Sequence, residues 1–154
     1  MKITIFTSNS NRHINLINKL SSLGHECCAV IENKKISKAF KKNSLKDKYF
    51  KKVIKSEKKI FNNAQLFKKN LSLLNISWGK INFINKKKLN GFLNSDLYIV
   101  FGTSYIKGWL INHLIKKKAI NIHIGLSPYY RGAACNFWAV YDNNPHLVGA
   151  TIHY

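Results

Sequence analysis

The chain has 154 residues, 45% hydrophobic and 12% aromatic, which suits one domain with a buried core and argues against a disordered chain. Its formal charge of +20 rests on 24 Lys and only 2 Arg, beside 19 Asn; that bias is what an AT-rich gene writes, whereas phosphate and base readers recruit the bidentate fork of Arg, so a solvated Lys face is preferred to direct nucleic-acid binding. A short N-terminal apolar run, no bilayer-length segment and three cysteines without paired spacing (Cys27, Cys28, Cys135) predict a cytoplasmic chain off the membrane with reduced, buried thiols rather than a disulfide or zinc site.

Lys2 to Thr7 alternates apolar residues and predicts a strand. Ser8-Asn9-Ser10-Asn11 supplies turn and N-cap chemistry; an ordinary cap or an anion site at a helix start both fit it. Ile14, Leu16, Ile17, Leu20 and Leu23 recur at helical spacing up to Gly24, and Cys27 to Ile31 predicts a second strand, giving a βαβ unit. Lys34 to Leu74 is expected to be mostly helical, with one stripe at Leu45, Tyr49 and Val53, another at Ile60, Ala64, Phe67, Leu71 and Leu74, and a break at Asn62-Asn63. Snorkelling lysines on surface helices are the plainer reading of the basic pattern, and a membrane-surface helix is the alternative.

Ile81 to Ile84 reads as a weak strand and Leu97 to Phe101 as a strong one, apolar throughout as a strand covered on both faces should be. A helix is expected from about Ile106 to Leu114, a strand from Ala119 to His123, a helix from near Ala133 and a last strand from Val148 to His153. The alternation predicts an α/β fold: a three-layer, Rossmann-like, mostly parallel sheet forming one domain over residues 1–154, with its last elements expected beyond Tyr154. Ligands in such sheets bind at the carboxyl ends of the strands, where the loops Ser8–Arg12, Gly102–Tyr105 and Ile124–Gly132 would converge. No G-x-G-x-x-G follows the first strand, so a dinucleotide is not favoured.

The charge is uneven. Between Lys34 and Lys118 lie 22 lysines, yet from Ala119 to Tyr154 the formal charges are Arg131 and Asp142 alone. Within that quiet segment Asn121 and His123 are two apart on a strand and share a face. An amide and an imidazole projecting together can stabilise an oxyanion, and the imidazole can move a proton; satisfaction by local backbone is the plainer alternative. His13, His25, His113 and His146 lack metal-ligand spacing and read as surface or packing residues, so no metal is expected.

The run Asn121-Ile122-His123-Ile124-Gly125-Leu126-Ser127-Pro128-Tyr129-Tyr130-Arg131-Gly132-Ala133-Ala134 resembles the signature of the folate-dependent formyltransferases, which include methionyl-tRNA, glycinamide ribonucleotide and sugar N-formyltransferases. Val148-Gly149-Ala150-Thr151-Ile152-His153 resembles the family's G-V/A-T-I strand, and Leu97 to Ile106 its strand and pteridine-binding loop. The resemblance is dense from about Ser95 to Tyr154; before that it rests on topology.

The resemblance implies formyl transfer from 10-formyltetrahydrofolate to an amine, with Asn121 and His123 catalytic. Phe101, Gly102, Thr103, Ser104, Tyr105 and Ile106 would line the pterin through backbone groups, and Leu126, Ser127 and Pro128 would shape the wall where donor and acceptor meet. The family's third catalytic residue, an aspartate in the turn after the G-x-T-I strand, would follow Tyr154; Asp142 does not match it. A longer enzyme and a truncated, inactive folate-binding homologue are the two expectations, the first preferred. Asn136-Phe137-Trp138 resembles sugar N-formyltransferases, with Trp138 or Tyr141 near a nucleotide-linked amino sugar, though residues facing the sheet would read the same way. Methionyl-tRNA is the alternative acceptor, supported only by the lysine excess.

Overall fold

Residues 1–34, 44–66 and 71–154 are described by the computed structural model. The elements run β1 (Lys2–Ser8), α1 (Asn11–Ser22), β2 (Glu26–Asn33), α2 (Leu45–Phe61), β3 (Leu71–Ser77), α3 (Lys86–Leu89), β4 (Leu97–Phe101), α4 (Trp109–Lys116), β5 (Ile120–His123), α5 (Cys135–Tyr141) and β6 (Thr151–His153). Short 3-10 turns occupy Ile81–Phe83, Asn90–Phe92 and Pro145–Leu147.

The strands form one sheet in the order β3-β2-β1-β4-β5-β6. All neighbours are parallel except β5 and β6, which are antiparallel. The strand order reverses between β1 and β4, and that is where open α/β sheets leave a crevice at their carboxyl ends. The predicted α/β, mostly parallel architecture is therefore present.

Alternation along the strands builds one core on each face of the sheet. Ile3, Ile5, Cys27, Ala29, Ile31 and Ile99 pack against Ile14 and Ile17 of α1. Phe6, Val30 and Tyr98 pack on the other face with Ile106, Leu110 and Leu114 at the α4 side and Ile81, Ile84 and Leu89 beside them. Cys27, Cys28 and Cys135 are buried and unpaired, as expected.

Two segments differ in kind from expectation, and the last strand begins at Thr151 rather than Val148. Leu71 and Leu74, placed on a helix by their spacing, lie instead in the edge strand β3. Half of that strand faces solvent, so its apolar residues do not alternate cleanly, and an i, i+3 pair is indistinguishable from a helical stripe. Phe67 of the same stripe lies outside the described residues. The strand expected at Ile81 to Ile84 is instead a 3-10 turn over Ile81–Phe83, because the Ile81 amide is drawn to the Glu32 side chain instead of a neighbouring strand. The break at Asn62 is present: α2 ends at Phe61 and Asn62 takes φ 53°. No residue of α2 is fully buried, in keeping with a surface helix. Among the described residues no helix is long and apolar enough to cross a membrane, and no group of three or more His, Cys, Asp or Glu could hold a metal.

Candidate active site

β5 carries Asn121 and His123. Val100 of β4 pairs with Asn121, and Asn121 and His123 pair with His153 and Thr151 of β6. Directly paired residues share a face, so Asn121, His123, Thr151 and His153 all point to the α4 side of the sheet. Ile122, between them, packs into the α1-side core and fixes the strand's orientation. The period of two in Thr151-Ile152-His153 thus brings a second imidazole to the site that reading β5 alone does not reveal.

The polar groups are wired in a definite sense. His153 Nδ1 lies 2.9 Å from the Tyr154 carbonyl, which can only accept, so Nδ1 carries the proton and Nε2 is left as an acceptor. The Asn121 amide Nδ2 stands 3.2 Å from that Nε2 and donates to it. One N–H of Asn121 is used in this way and a second remains. His123 Nε2 lies 3.1 Å from the Tyr130 carbonyl and therefore carries its proton there. The Cys135 thiol sits 3.5 Å from the same nitrogen and also 3.5 Å from the Gly132 carbonyl. Burial raises the thiol's pKa, so Cys135 stays neutral beside the imidazole.

The loop after β5 is held against the strand by one side chain. The Thr151 hydroxyl donates to the Gly125 carbonyl at 2.8 Å and accepts from the Ser127 amide at 2.9 Å. Ser127-Pro128 is a cis peptide. Gly125 is required by space: a Cβ there would lie 2.6 Å from both His123 Nε2 and Cys135 Cβ. Pro128 is exposed while Leu126 and Ser127 are half-buried.

At the reversal point the structure is denser. Phe101 is buried and its ring meets His13 edge-on at 4.2 Å. The Thr7 hydroxyl donates to the Phe101 carbonyl at 2.7 Å. The Ser104 amide is taken by Glu32, and the Tyr105 carbonyl by Asn82 Nδ2 at 2.7 Å. Ile106 turns its side chain into the α4-side core. Gly102 (φ 70°) and half-buried Thr103 complete the loop, and Tyr105 is 84% exposed. Several backbone groups that the family resemblance implied for a ligand, the Phe101 and Tyr105 carbonyls and the Ser104 amide, are thus bonded within the chain.

His13, read from sequence as a surface or packing residue, is only 2% exposed and lies directly under this loop. A Cβ on Gly102 would come within 2.4 Å of its ring. The ring's Nε2 accepts from Arg12 Nε at 3.4 Å, so Nδ1 carries the proton facing the hydroxyls of Ser8 (2.6 Å) and Ser10 (2.9 Å). Burial, with the charges of Arg12 and Lys34, lowers its pKa to about 3, which keeps it neutral. Ser10 is the N-cap of α1 but makes no side-chain cap bond; its hydroxyl serves His13 instead. Arg12 is drawn away to Glu57 at 2.6 Å.

The aromatic segment after the Gly-Ala-Ala start divides. Phe137 is buried and packs on Tyr49 of α2, whereas Trp138 is 40% exposed, meets Tyr141 edge-on and has the Lys46 ammonium 5.2 Å from its ring centre.

No family model and no curated protein matches the chain in sequence. Solved structures do match in fold. A phosphoribosylglycinamide formyltransferase from Anaplasma phagocytophilum superposes over the whole chain with TM-score 0.60 at 16% identity, the match covering 64% of that protein. Glycinamide ribonucleotide transformylase 1 from Symbiobacterium toebii gives 0.60 at 14% identity, covering 65% of that protein. The Bacillus halodurans phosphoribosylglycinamide formyltransferase gives 0.57 at 17%, covering 71%. The chain therefore has the fold of these formyltransferase structures, and it spans somewhat under two thirds of the length of the first two.

Proposed function

We propose that the chain carries the donor site and part of the catalytic centre of a folate-dependent formyltransferase, which moves the formyl group of 10-formyltetrahydrofolate to a primary amine. The observation that carries this reading is the placement of Asn121 and His123 side by side at the carboxyl end of β5, within the signature run that resembles this family. The fold likeness supports it independently of that signature.

The amine nitrogen attacks the formyl carbon, the bond from that carbon to the folate nitrogen breaks, and negative charge gathers on the formyl oxygen in between. The second N–H of Asn121 is free to donate to that oxygen. His123 would exchange its bond to the Tyr130 carbonyl for the developing oxyanion or the departing proton. Phe101 to Ile106 would form the pterin wall, with Gly102 and Tyr105 exposed and Thr103 half-buried, and Leu126, Ser127 and Pro128 would form the rim between donor and acceptor. The aspartate expected after the last strand would orient His123; a protein that lacks it would hold folate without turning over.

An amino sugar linked to a nucleotide is the preferred acceptor. The specific support is Trp138, exposed with Tyr141 and Lys46 at its side rather than buried against the sheet, on the helix whose first residue touches His123. Glycinamide ribonucleotide is the second reading, favoured by the names of the fold neighbours. Incubating the full-length gene product with 10-formyltetrahydrofolate and, in turn, dTDP-amino-sugars, glycinamide ribonucleotide and methionyl-tRNA decides between them. Formylation of one sugar nucleotide is the expected result. Folate binding with no formylation of any acceptor would leave the inactive homologue standing in place of the enzyme.

A further inference from the structure

Glu32 is the last but one residue of β2 and is completely buried. A buried carboxylate is costly unless its lone pairs are filled. Here Oε1 accepts from the Gly79 amide (2.9 Å), the Ile81 amide (3.2 Å) and the Ser104 hydroxyl (2.9 Å), and Oε2 accepts from the Ser104 amide (2.5 Å). The donors come from two segments far apart in sequence: the turn after β3 and the loop after β4. Between β2 and β4 lies β1, and Glu32 is paired with Ser8 at its end. The carboxylate therefore reaches beneath the end of β1, across the point where strand order reverses, and ties both sides of the crevice to one anion.

Asn82 repeats the tie from the turn's side. Its amide Nδ2 donates to the Tyr105 carbonyl, and its Oδ1 accepts from the Lys107 amide at 2.8 Å. Residues 79–82 and 104–107 thus form one hydrogen-bonded unit with Glu32 at its base.

We infer that Glu32 is a positioning residue for the donor site: it sets the conformation of the 102–106 loop and couples the turn at 79–82 to folate binding. This rests on the donor-loop assignment made above. A neutral amide cannot replace the carboxylate, because only one of its two terminal atoms accepts and the other would press N–H groups against N–H donors. Glu32→Gln keeps the volume and breaks the pattern.

Hydrogen exchange and folate binding, measured on the full-length protein with 5-formyltetrahydrofolate as probe, test this. In Glu32→Gln, amides at 79–81 and 104–106 are expected to exchange at least about tenfold faster while those of β1 and the α1-side face keep their protection. Probe affinity should fall about tenfold, one decade being the scale of a lost charge-assisted bond, and the KM for the amine acceptor should not change. Ser104→Ala, which removes only the hydroxyl bond, should shift both quantities in the same direction by less. In the wild type, the probe should slow exchange at Gly79 and Ile81 as well as in the 102–106 loop, a measurement that needs no variant to fold. Protection confined to 102–106, unchanged loop exchange in Glu32→Gln, or faster exchange with unaltered probe affinity would each overturn the inference. Failure of the wild type to bind the probe would instead overturn the donor-site reading, and the inference with it as a statement about folate, while exchange in the variant would still show whether Glu32 holds the loop.

Discussion

The two sides of the crevice are built on opposite plans. Around β1, β2 and the loop after β4, polar groups are buried and saturated: Glu32 holds two segments, Thr7 holds the Phe101 carbonyl, and His13 is locked between serine hydroxyls and Gly102. Along β5 and β6 the polar residues are half-buried or exposed, and Asn121 and His153 bond chiefly to each other. The first arrangement fixes a shape before any ligand arrives. The second leaves its polar groups exposed or half-buried near the edge of the sheet, where the proposed function would use them on a reacting group. Substitutions on the first side should therefore alter stability and donor affinity, and those on the second should alter turnover.

The largest effect is expected at His123. His123→Ala should lower turnover by about 10²–10⁴-fold, the range for a lost acid–base group, with thermal stability nearly unchanged because the side chain is only half-buried. Loss of stability alongside turnover in His123→Ala would erase the contrast between the two sides. Gly125→Ala comes next, at a buried position where packing does depend on the residue. Its methyl would sit 2.6 Å from His123 Nε2 and the Cys135 Cβ, so the loop must shift; overpacking of this kind costs about 1–3 kcal/mol, and turnover should fall with it. Chemical denaturation beside steady-state kinetics measures both.

His13 sharpens the comparison through pH. Its folded pKa, about 3, lies below the ordinary 6.5, so the unfolded chain takes up a proton that the folded chain refuses. Stability is unaffected by this group above about pH 6.5 and falls as pH drops from there toward 3, by up to roughly 1.4 kcal/mol per pH unit. His13→Asn should flatten that slope by about one proton between pH 6 and 4 in denaturant titrations. An unchanged slope would mean that His13 is not held neutral. The smallest change is expected for Cys135→Ser, which keeps a donor beside His123 and should alter stability by no more than about 1 kcal/mol.

Much of this arrangement is legible in the sequence, for physical reasons that also mark its limits. β2 and β4 are buried on both faces and read as apolar runs, β1 shows through its alternating apolar residues, and Asn121 and His123 fall on one face by simple alternation. β3 is not legible, because an edge strand half in solvent has no clean period and Leu71 and Leu74 also fit a helix. The direction of β6 is set by a return across the β5 loop, which Thr151 secures through partners about two dozen residues away in sequence. Glu32 and His13 escape notice for a shared reason: their partners are backbone groups and hydroxyls brought in by the tertiary fold. A signal for Glu32 did exist, since it is one of only 6 acidic residues and directly follows the apolar run Ala29-Val30-Ile31.

The proposed function turns on Asn121 acting on the reacting formyl group and not on folate binding. It is tested most directly by following transfer of an isotopically labelled formyl group from 10-formyltetrahydrofolate to the accepted amine, in the full-length wild type and in Asn121→Ala, with donor affinity measured separately. Transfer by the wild type is expected, with a loss of about 10²–10³-fold in the variant, the scale of one missing oxyanion donor, and donor affinity held within about twofold. Undiminished transfer in Asn121→Ala, or loss of transfer that merely follows loss of donor binding, would contradict it.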